Sequence, residues 1–305
     1  MLLSSLISNI ESWVGRQQQI SDLESVDEEL FRNIFSIDQF KAHSKTPLEL
    51  FYLETGSIPI RYILMSRRLN FLWYLVHQKE DSLLSNFLQA QCEDPIKGDW
   101  VSQVKADMES LDLIMTVEDL KAISKDTFKE LVKKHVRATA FAGLKEIQES
   151  HSKSKKLKYN EMKMNDYLAS NNGMTKNEKS FAFSARYQML NVKKNFKFGK
   201  TDLKCSLGCD TIEDQEHILQ CPVLKEENED HLINYTDIYS NDPLKVKNVT
   251  LTLKRKFDKF TKMNATVHGQ SSQTGSSAAE SDKKVDDVNT LNDNDIVDYA
   301  DSELE

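Results

Sequence analysis

The 305-residue chain has few of the residues that interrupt regular structure, with nine glycines and five prolines. Because a turn-rich β fold needs many such positions, this scarcity favours an all-α fold. The chain also lacks a run of roughly eighteen apolar residues, which argues against a membrane-spanning helix. Its first residues lack a basic region and a long apolar core, so we predict no signal peptide and an intracellular location, in the nucleus or cytoplasm.

Catalytic constellations are missing from the sequence as well. We find no serine–histidine–aspartate arrangement and no carboxylate pair in a context that would support acid–base chemistry. The only adjacent aspartates late in the chain, Asp286 and Asp287, lie in a segment of low apolar content. We therefore predict that the chain is not an enzyme and has no small-molecule substrate.

The net charge of −8 hides an uneven distribution along the chain. Residues 151–204 carry thirteen bases and four acids (+9), and residues 210–242 carry ten acids and one base (−9). Residues 244–264 are basic again, with seven bases and one acid (+6). From residue 264 onward the chain is acidic and poor in apolar side chains, so we predict a disordered tail.

Apolar side chains recur at helical spacing along most of the sequence. The expected helices cover residues 2–16, 26–36, 47–56, 58–76, 81–92, 99–111, two spans within 116–149, 160–170, 175–195, 222–239 and 243–262. Capping boxes are predicted at Ser21, Ser25, Thr116 and Thr175. Thr46 is predicted to cap the helix that Gly56 ends. These signals predict a multi-helix, bundle-like body.

Three of the four cysteines fall within one short motif, Cys-x3-Cys-x7-His-x3-Cys, formed by Cys205, Cys209, His217 and Cys221. His217 and Cys221 are four residues apart, so on a helix they share a face. Gly208 allows a tight turn that aims the first two sulfurs at one point. Three thiolates and one imidazole complete a tetrahedral zinc site, so we predict a structural Zn²⁺ in a small knuckle.

Two other interpretations of this motif remain open at the level of sequence. The cysteines could be ordinary buried core residues, because free cysteine is often buried. Two of them could form a disulfide, although a third would then be left over and nothing indicates secretion. With the zinc interpretation, the chain divides into a helical domain (1–150), a basic helical connector (151–204), a zinc knuckle with flanking helices (205–263) and the acidic tail (264–305).

Basic residues near aromatic ones suggest contacts with nucleic acid, because cations meet phosphates and rings stack on bases. The candidates are Arg67, Arg68, Lys155, Lys156, Lys193, Lys194, Lys197 and Lys200. Ordinary alternatives exist for each group. The arginine pair could form a salt-bridged helix edge, and the lysines around Phe196 could be a solvated face.

Several short runs, in the same order, carry a resemblance to a known family. They are Asn9–Trp13, Lys45–Gly56 with its Tyr-Leu-Glu-Thr-Gly end, Ile58–Arg61, Arg67–Leu69, Glu93–Trp100 and Gln215–Cys221. Over roughly residues 5–225 the chain closely resembles the C-terminal region of reverse transcriptases encoded by non-LTR (LINE-type) retrotransposons. The resemblance implies a region that follows the polymerase domain and ends in a zinc module gripping RNA or target DNA.

The same resemblance implies that Cys205, Cys209, His217 and Cys221 are the ligands of that module. The family usually has Cys-x2-Cys where this chain has Cys-x3-Cys, with Gly208 in the gap. A polymerase of this kind needs a palm domain with paired aspartates that hold two metal ions, and no such motif is present. The chain therefore resembles a non-catalytic fragment of the family.

Two functions are expected from these observations. In the first, a zinc-stabilised helical module binds RNA or DNA through lysines at 153–158, 193–204 and 245–256. In the second, a helical scaffold docks onto a polymerase domain or another copy of itself. Pairing between the basic block 151–204 and the acidic block 210–242 would favour the second, because it removes basic surface.

Overall fold

The computed structural model describes Ser12 and residues 17–37, 46–94, 96–196, 202–225 and 233–269. The helices are α1 (Gln17–Ile34), α2 (Leu48–Thr55), α3 (Ile60–Val76), α4 (Leu83–Glu93), α5 (Trp100–Ser110), α6 (Val117–Ala122), α7 (Lys125–Ser150), α8 (Lys176–Arg186), α9 (Gln215–Gln220) and α10 (Pro243–Gly269). Within these ranges there is no strand, and a single antiparallel bridge joins Lys204 to Ile212. The prediction of a helical fold is confirmed.

The first helix is longer than the sequence predicts. Helix α1 begins at Gln17 rather than near residue 26, so the predicted caps Ser21 and Ser25 lie inside it. The Ser25 hydroxyl donates instead to the carbonyl of Ser21 at 2.9 Å. These two capping predictions are wrong because a serine in a helix interior bonds back to the preceding turn.

Helix α2 has the predicted end but a different start. Pro47 occupies the N-cap without a side-chain hydrogen bond, and the Thr46 hydroxyl contacts the Met189 sulfur at 2.7 Å instead of capping. Gly56 ends the helix in the left-handed region, with φ of 69°. The capping boxes at Thr116 and Thr175 are both present, as predicted.

Helix α8 ends earlier than residue 195. It stops at Arg186, Gln188 turns the chain with a φ of 53°, and residues 193–196 form a 3₁₀ turn. In their described residues, two other predicted helices form 3₁₀ turns, at 166–168 with 170–172 and at 222–224 with 235–239; residues 226–232 of the second lie outside the described residues. The chain here follows tertiary contacts instead of its helical propensity.

Two predicted segments lie wholly or largely outside the described residues. They are the helix at 2–16, of which only Ser12 is described, and the acidic tail from residue 270 onward. Residues 264–269 belong to α10, which continues to Gly269. The predicted boundary at 264 therefore falls inside a helix.

Two clusters of buried side chains share the long helix α7. Its first half packs with α3, α5 and α6 around Leu69, Val104 and Val132. Its second half, with Ala140 and Leu144, joins a larger cluster that extends from α1 and α2 to α8, α9 and α10. That larger cluster contains residues from both sides of positions 150 and 204, where the sequence predicts domain boundaries. None of the helices in the described ranges has the length and apolar character needed to cross a lipid bilayer.

A buried polar network connects α2 to α8 inside the larger cluster. The Arg186 guanidinium pairs with the Glu54 carboxylate at 2.8 Å, and both side chains are fully buried. Tyr159 and Tyr187 donate their hydroxyls to the other Glu54 oxygen. Arg186 also donates to the carbonyl of Ile238 at 2.6 Å. The network therefore joins four separate parts of the chain around one carboxylate.

Candidate metal centre

The four residues of the cysteine and histidine motif converge in the structure. Cys205 and Cys209 lie in the loop before α9, His217 lies within α9, and Cys221 directly follows it. Their candidate ligand atoms all lie within 4.8 Å of one another. The group could therefore hold a metal ion, as the sequence predicts.

The loop that carries the first two cysteines is closed by its own backbone. The Cys205 N–H donates to the Thr211 carbonyl at 2.9 Å, and the Gly208 N–H donates to the Cys205 carbonyl at 3.0 Å. Gly208 has a φ of 88°, which a residue with a side chain adopts only at a cost. The extra residue in Cys-x3-Cys is thus taken up by a glycine turn, and both sulfurs still face the same point.

Helix α9 positions the other two ligands. Asp214 is its N-cap, and the Asp214 carboxylate accepts a hydrogen bond from the His217 N–H at 2.8 Å. The His217 side chain is buried, and its Nε2 atom has no hydrogen-bond partner among the described residues. A buried nitrogen without a partner is rare in folded proteins. A cation at the centre of the group would satisfy it.

The sulfur geometry also fits a cation better than a disulfide. The sulfurs of Cys209 and Cys221 lie 3.6 Å apart, far beyond the roughly 2.05 Å of a disulfide bond. Two sulfurs bound to one tetrahedral zinc at about 2.3 Å are separated by about 3.8 Å. The described cysteines are all free thiols, so the disulfide alternative receives no support.

Two of the thiols, Cys205 and Cys209, favour the protonated state when no cation is present. Burial, together with the sulfurs of Cys221 and Cys205, raises the pKa of Cys209 to about 12. Burial also raises the pKa of Cys205. Since a thiolate is the form that binds metal, an ion at this place must displace protons, and acid must oppose its binding.

Glu213 holds the cysteine loop in place by accepting hydrogen bonds from backbone N–H groups. Its side chain is buried and accepts hydrogen bonds from the Ser206 N–H at 2.9 Å and from the Lys193 N–H at 3.0 Å. Its own backbone N–H donates to the Leu203 carbonyl at 2.8 Å. Glu213 therefore ties the cysteine loop to the segment after α8.

Gln215, the first residue of α9, attaches this helix to the rest of the fold. Its buried amide donates to the Ala185 carbonyl at 2.8 Å and to the Tyr235 hydroxyl at 2.6 Å. The amide oxygen accepts from the Leu190 N–H at 3.3 Å and from the Asn195 amide at 3.2 Å. One side chain thus connects α9 to three other parts of the chain.

Lys256 on α10 secures the other end of α9. Its buried ammonium donates to the Leu219 carbonyl at 2.6 Å, where a cation is favoured by the exposed carbonyls of a helix C-terminus. Sequence reasoning missed Glu213 and Gln215, and it placed Lys256 among the lysines that contact phosphate, a prediction that the burial of Lys256 shows to be wrong. No local pattern distinguishes a buried polar residue from an exposed one.

A further predicted nucleic-acid contact, Arg68, is also contradicted by the structure. Arg68 is buried, with 2% of its surface exposed, and its guanidinium binds the Asp107 carboxylate with two hydrogen bonds of 2.6 and 3.0 Å. The prediction that Arg68 contacts phosphate is therefore wrong, and the salt-bridge alternative holds. Its neighbour Arg67 is half-buried in α3.

The lysines after α8 are largely engaged by acids of the metal loop. The Lys194 ammonium lies 2.6 Å from the Asp214 carboxylate, and the Lys193 ammonium donates to the Lys204 carbonyl at 2.6 Å. Lys204 in turn pairs with Asp210 at 2.5 Å. Two ion pairs thus join the end of the basic block to the start of the acidic block beside the cysteine loop.

Of the four remaining candidates, the structure describes the two lysines of the connector. Lys155 and Lys156 are exposed in the connector, and the Lys156 ammonium lies 5.3 Å from the centroid of the Tyr239 ring. Lys197 and Lys200 lie outside the described residues. Of the predicted cationic positions with described side chains, the structure brings Lys193 and Lys194 next to the metal loop and leaves the connector pair accessible.

Comparison with known proteins gives no relative for this chain. No protein-family model, no curated protein and no solved structure matches it.

Proposed function

We propose that the chain is a non-catalytic helical module that a structural zinc ion completes and that binds RNA or DNA. The observation that carries the zinc proposal is the convergence of four ligand atoms within 4.8 Å. All four positions of a tetrahedral zinc are supplied by the protein, which is the arrangement of a structural site. Zinc would hold the loop and α9 together and would supply no catalytic step.

The nucleic-acid proposal is supported by the cationic surface that remains after internal pairing. Helix α10 presents Lys245, Lys259 and Lys262 to solvent, and the connector adds Lys155 and Lys156. Lys256 anchors the same helix to α9, so the metal loop and this surface are held in one arrangement. The family resemblance, with a retrotransposon origin and an intracellular location, is part of this proposal.

Metal analysis tests the zinc site directly. The purified chain should contain one equivalent of zinc, and Cys209→Ser should lose most of it. Cys92→Ser is the matched control, because Cys92 is exposed and far from the motif in sequence. Less than about half an equivalent in the parent chain would contradict a closed four-ligand site.

Mobility-shift titrations with single-stranded RNA, single-stranded DNA and duplex DNA test the second part. Lys254→Gln/Lys259→Gln/Lys262→Gln should weaken binding and lower the slope of log K against log salt by roughly 2 units. Lys97→Gln/Lys121→Gln/Lys125→Gln is the control, with the same charge change near α4 to α7. Equal losses in both variants, or no binding at low salt, would overturn the proposal.

A second role, as a helical protein-interaction module, is favoured by one specific observation. The ion pairs Lys194–Asp214 and Lys204–Asp210 neutralise basic residues that would otherwise face phosphate. If mobility shifts are absent in the zinc-loaded chain, this role becomes the better proposal.

A further inference from the structure

Helix α4 packs on the edge of the fold, where Leu88 contacts a core cluster, but none of its eleven residues is fully buried. It nevertheless has an amphipathic sequence, and its apolar side chains lie in solvent: Leu83 is 83% exposed and Phe87 is 50% exposed. The two are four residues apart, so they lie on one face. A helix is normally stabilised by burying such a face, which indicates that α4 has a binding partner.

The surroundings of α4 define the charge of that partner. Residues 77–119 hold ten acids and three bases, a net of −7. Glu80 and Asp81 precede the helix, Glu93 and Asp94 lie at its end, and all four side chains are exposed. The same region exposes further apolar side chains, including Ile96 and Ile114. We call the exposed side chains of α4 and of the turns at its two ends the acidic apolar face; the buried Asp107, which is paired with Arg68, is not part of it.

The chain itself contains a surface of complementary chemistry. The exposed side of α10 carries Leu244 and Leu251, which are 63% and 38% exposed, together with the exposed bases Lys245, Arg255, Lys259 and Lys262 and one exposed acid, Asp258. An open groove of about 460 Å³ runs beside α10, lined by Leu251, three lysines, one arginine and Asp258 of α10 and by Glu178 of α8. We call this side of α10 the basic groove.

The two surfaces belong to different parts of one molecule. Helix α4 packs against α3 and α5, whereas α10 packs against α8, α9 and nearby 3₁₀ turns. Two surfaces that each have exposed apolar side chains surrounded by charges of opposite sign are suited to associate. Burial of the apolar side chains supplies affinity, and the charges orient the two partners. The exposed carboxylates around α4 and the exposed bases of α10 carry opposite charge and would attract each other.

We propose that the acidic apolar face of one copy docks into the basic groove of a second copy, so that the chains associate head to tail. The contact is heterologous, since each copy uses a different surface, and a dimer leaves one face of each kind unused. This inference deepens the interaction role above and rests on it, naming the partner as a second copy of this chain.

Sedimentation equilibrium over the micromolar range, at low and high salt, tests the association. The zinc-loaded chain should self-associate at low salt and dissociate as salt screens the charges. Leu83→Ser/Phe87→Ser, and separately Lys259→Glu/Lys262→Glu, should each weaken association at least about tenfold. Val26→Ser/Ile147→Ser changes similarly exposed apolar residues on other helices and should leave it unchanged.

Mixing the two disabled variants gives the decisive readout. Each keeps the surface that the other has lost, so the mixture should form a 1:1 dimer that grows no further, while each alone stays monomeric. Recovery on mixing also shows that both variants are folded. If the parent chain is monomeric throughout, the interaction role with a second copy fails. If it associates but neither variant matters, or mixing restores nothing, the named surfaces are wrong and self-association stands.

Discussion

The ion pair of Glu54 with Arg186 and the group of three cysteines with His217 lie in the same continuous core. They differ in where the compensating charge comes from. The Glu54 carboxylate is paired with the Arg186 guanidinium and accepts hydrogen bonds from two tyrosine hydroxyls of this chain. The buried His217 Nε2 atom has no hydrogen-bond partner and no charged partner among the described residues. The charge of the first centre is balanced within the protein, and the second has the form of a site that an ion completes.

The difference extends to the backbone around each centre. Both use a glycine with positive φ, but Gly56 packs tightly and Gly208 does not. A Cβ atom on Gly56 would lie 2.2 Å from the Met164 backbone nitrogen, whereas one on Gly208 would meet nothing within 4 Å. A side chain at position 56 would therefore clash with the backbone of the segment beside Glu54, whereas a side chain at position 208 would meet only the strain of its positive φ.

The largest expected effect separates these two glycines. Gly56→Ala should cost more than about 4 kcal/mol of unfolding free energy, because a backbone clash adds to the conformational strain. Gly208→Ala should cost only about 1–2 kcal/mol, from the strain alone. Urea unfolding of both variants with zinc present measures this. Similar costs for the two would mean that the difference in packing is unimportant.

Breaking the buried ion pair of Glu54 with Arg186 should have the next largest effect. Glu54→Gln leaves the Arg186 charge buried and uncompensated, which should cost about 3–5 kcal/mol. Glu54→Leu/Arg186→Met removes both charges and should be less harmful than the single change. Thermal and urea unfolding compare the three proteins. A double variant that is less stable than Glu54→Gln would contradict this account of the pair.

Removing the ion should have a smaller and more local effect. Chelation should lower the unfolding free energy by about 3–4 kcal/mol if zinc is present at 100 to 1,000 times its dissociation constant. Hydrogen exchange should rise in residues 205–221 while residues 50–56 remain protected. Cys92→Ser should respond to chelator as the parent chain does. Uniform exchange across both segments would show that the two centres are not separate.

The sequence predicts the convergence of the four candidate ligands well because the information for it is local. Cysteine and histidine at fixed spacing need only a turn and one helix to converge, and both are encoded by Gly208 and the α9 segment. Apolar spacing likewise predicts most of the helices. The residue types themselves predict the end of α2 at Gly56 and the capping box at Thr175.

Other features depend on contacts that are distant in sequence. Arg68 reads as a surface arginine, because its partner Asp107 lies 39 residues away. Glu54 meets Tyr159 after 105 residues, and nothing near Glu54 signals burial. The early end of α8 has the same origin, since the chain turns to bring Leu190 and Asn195 to Gln215. Tertiary contacts override local propensity at these positions.

Helix α7 has a consequence for how this chain can be divided. Its 26 residues extend for about 39 Å, and each half completes a different cluster of buried side chains. A cut after residue 150 would leave all of α7 on the upstream piece. The second half of that helix would then lose the downstream side chains against which it packs. We expect neither piece to refold alone, and we expect co-expressed pieces to reassociate along that shared helix.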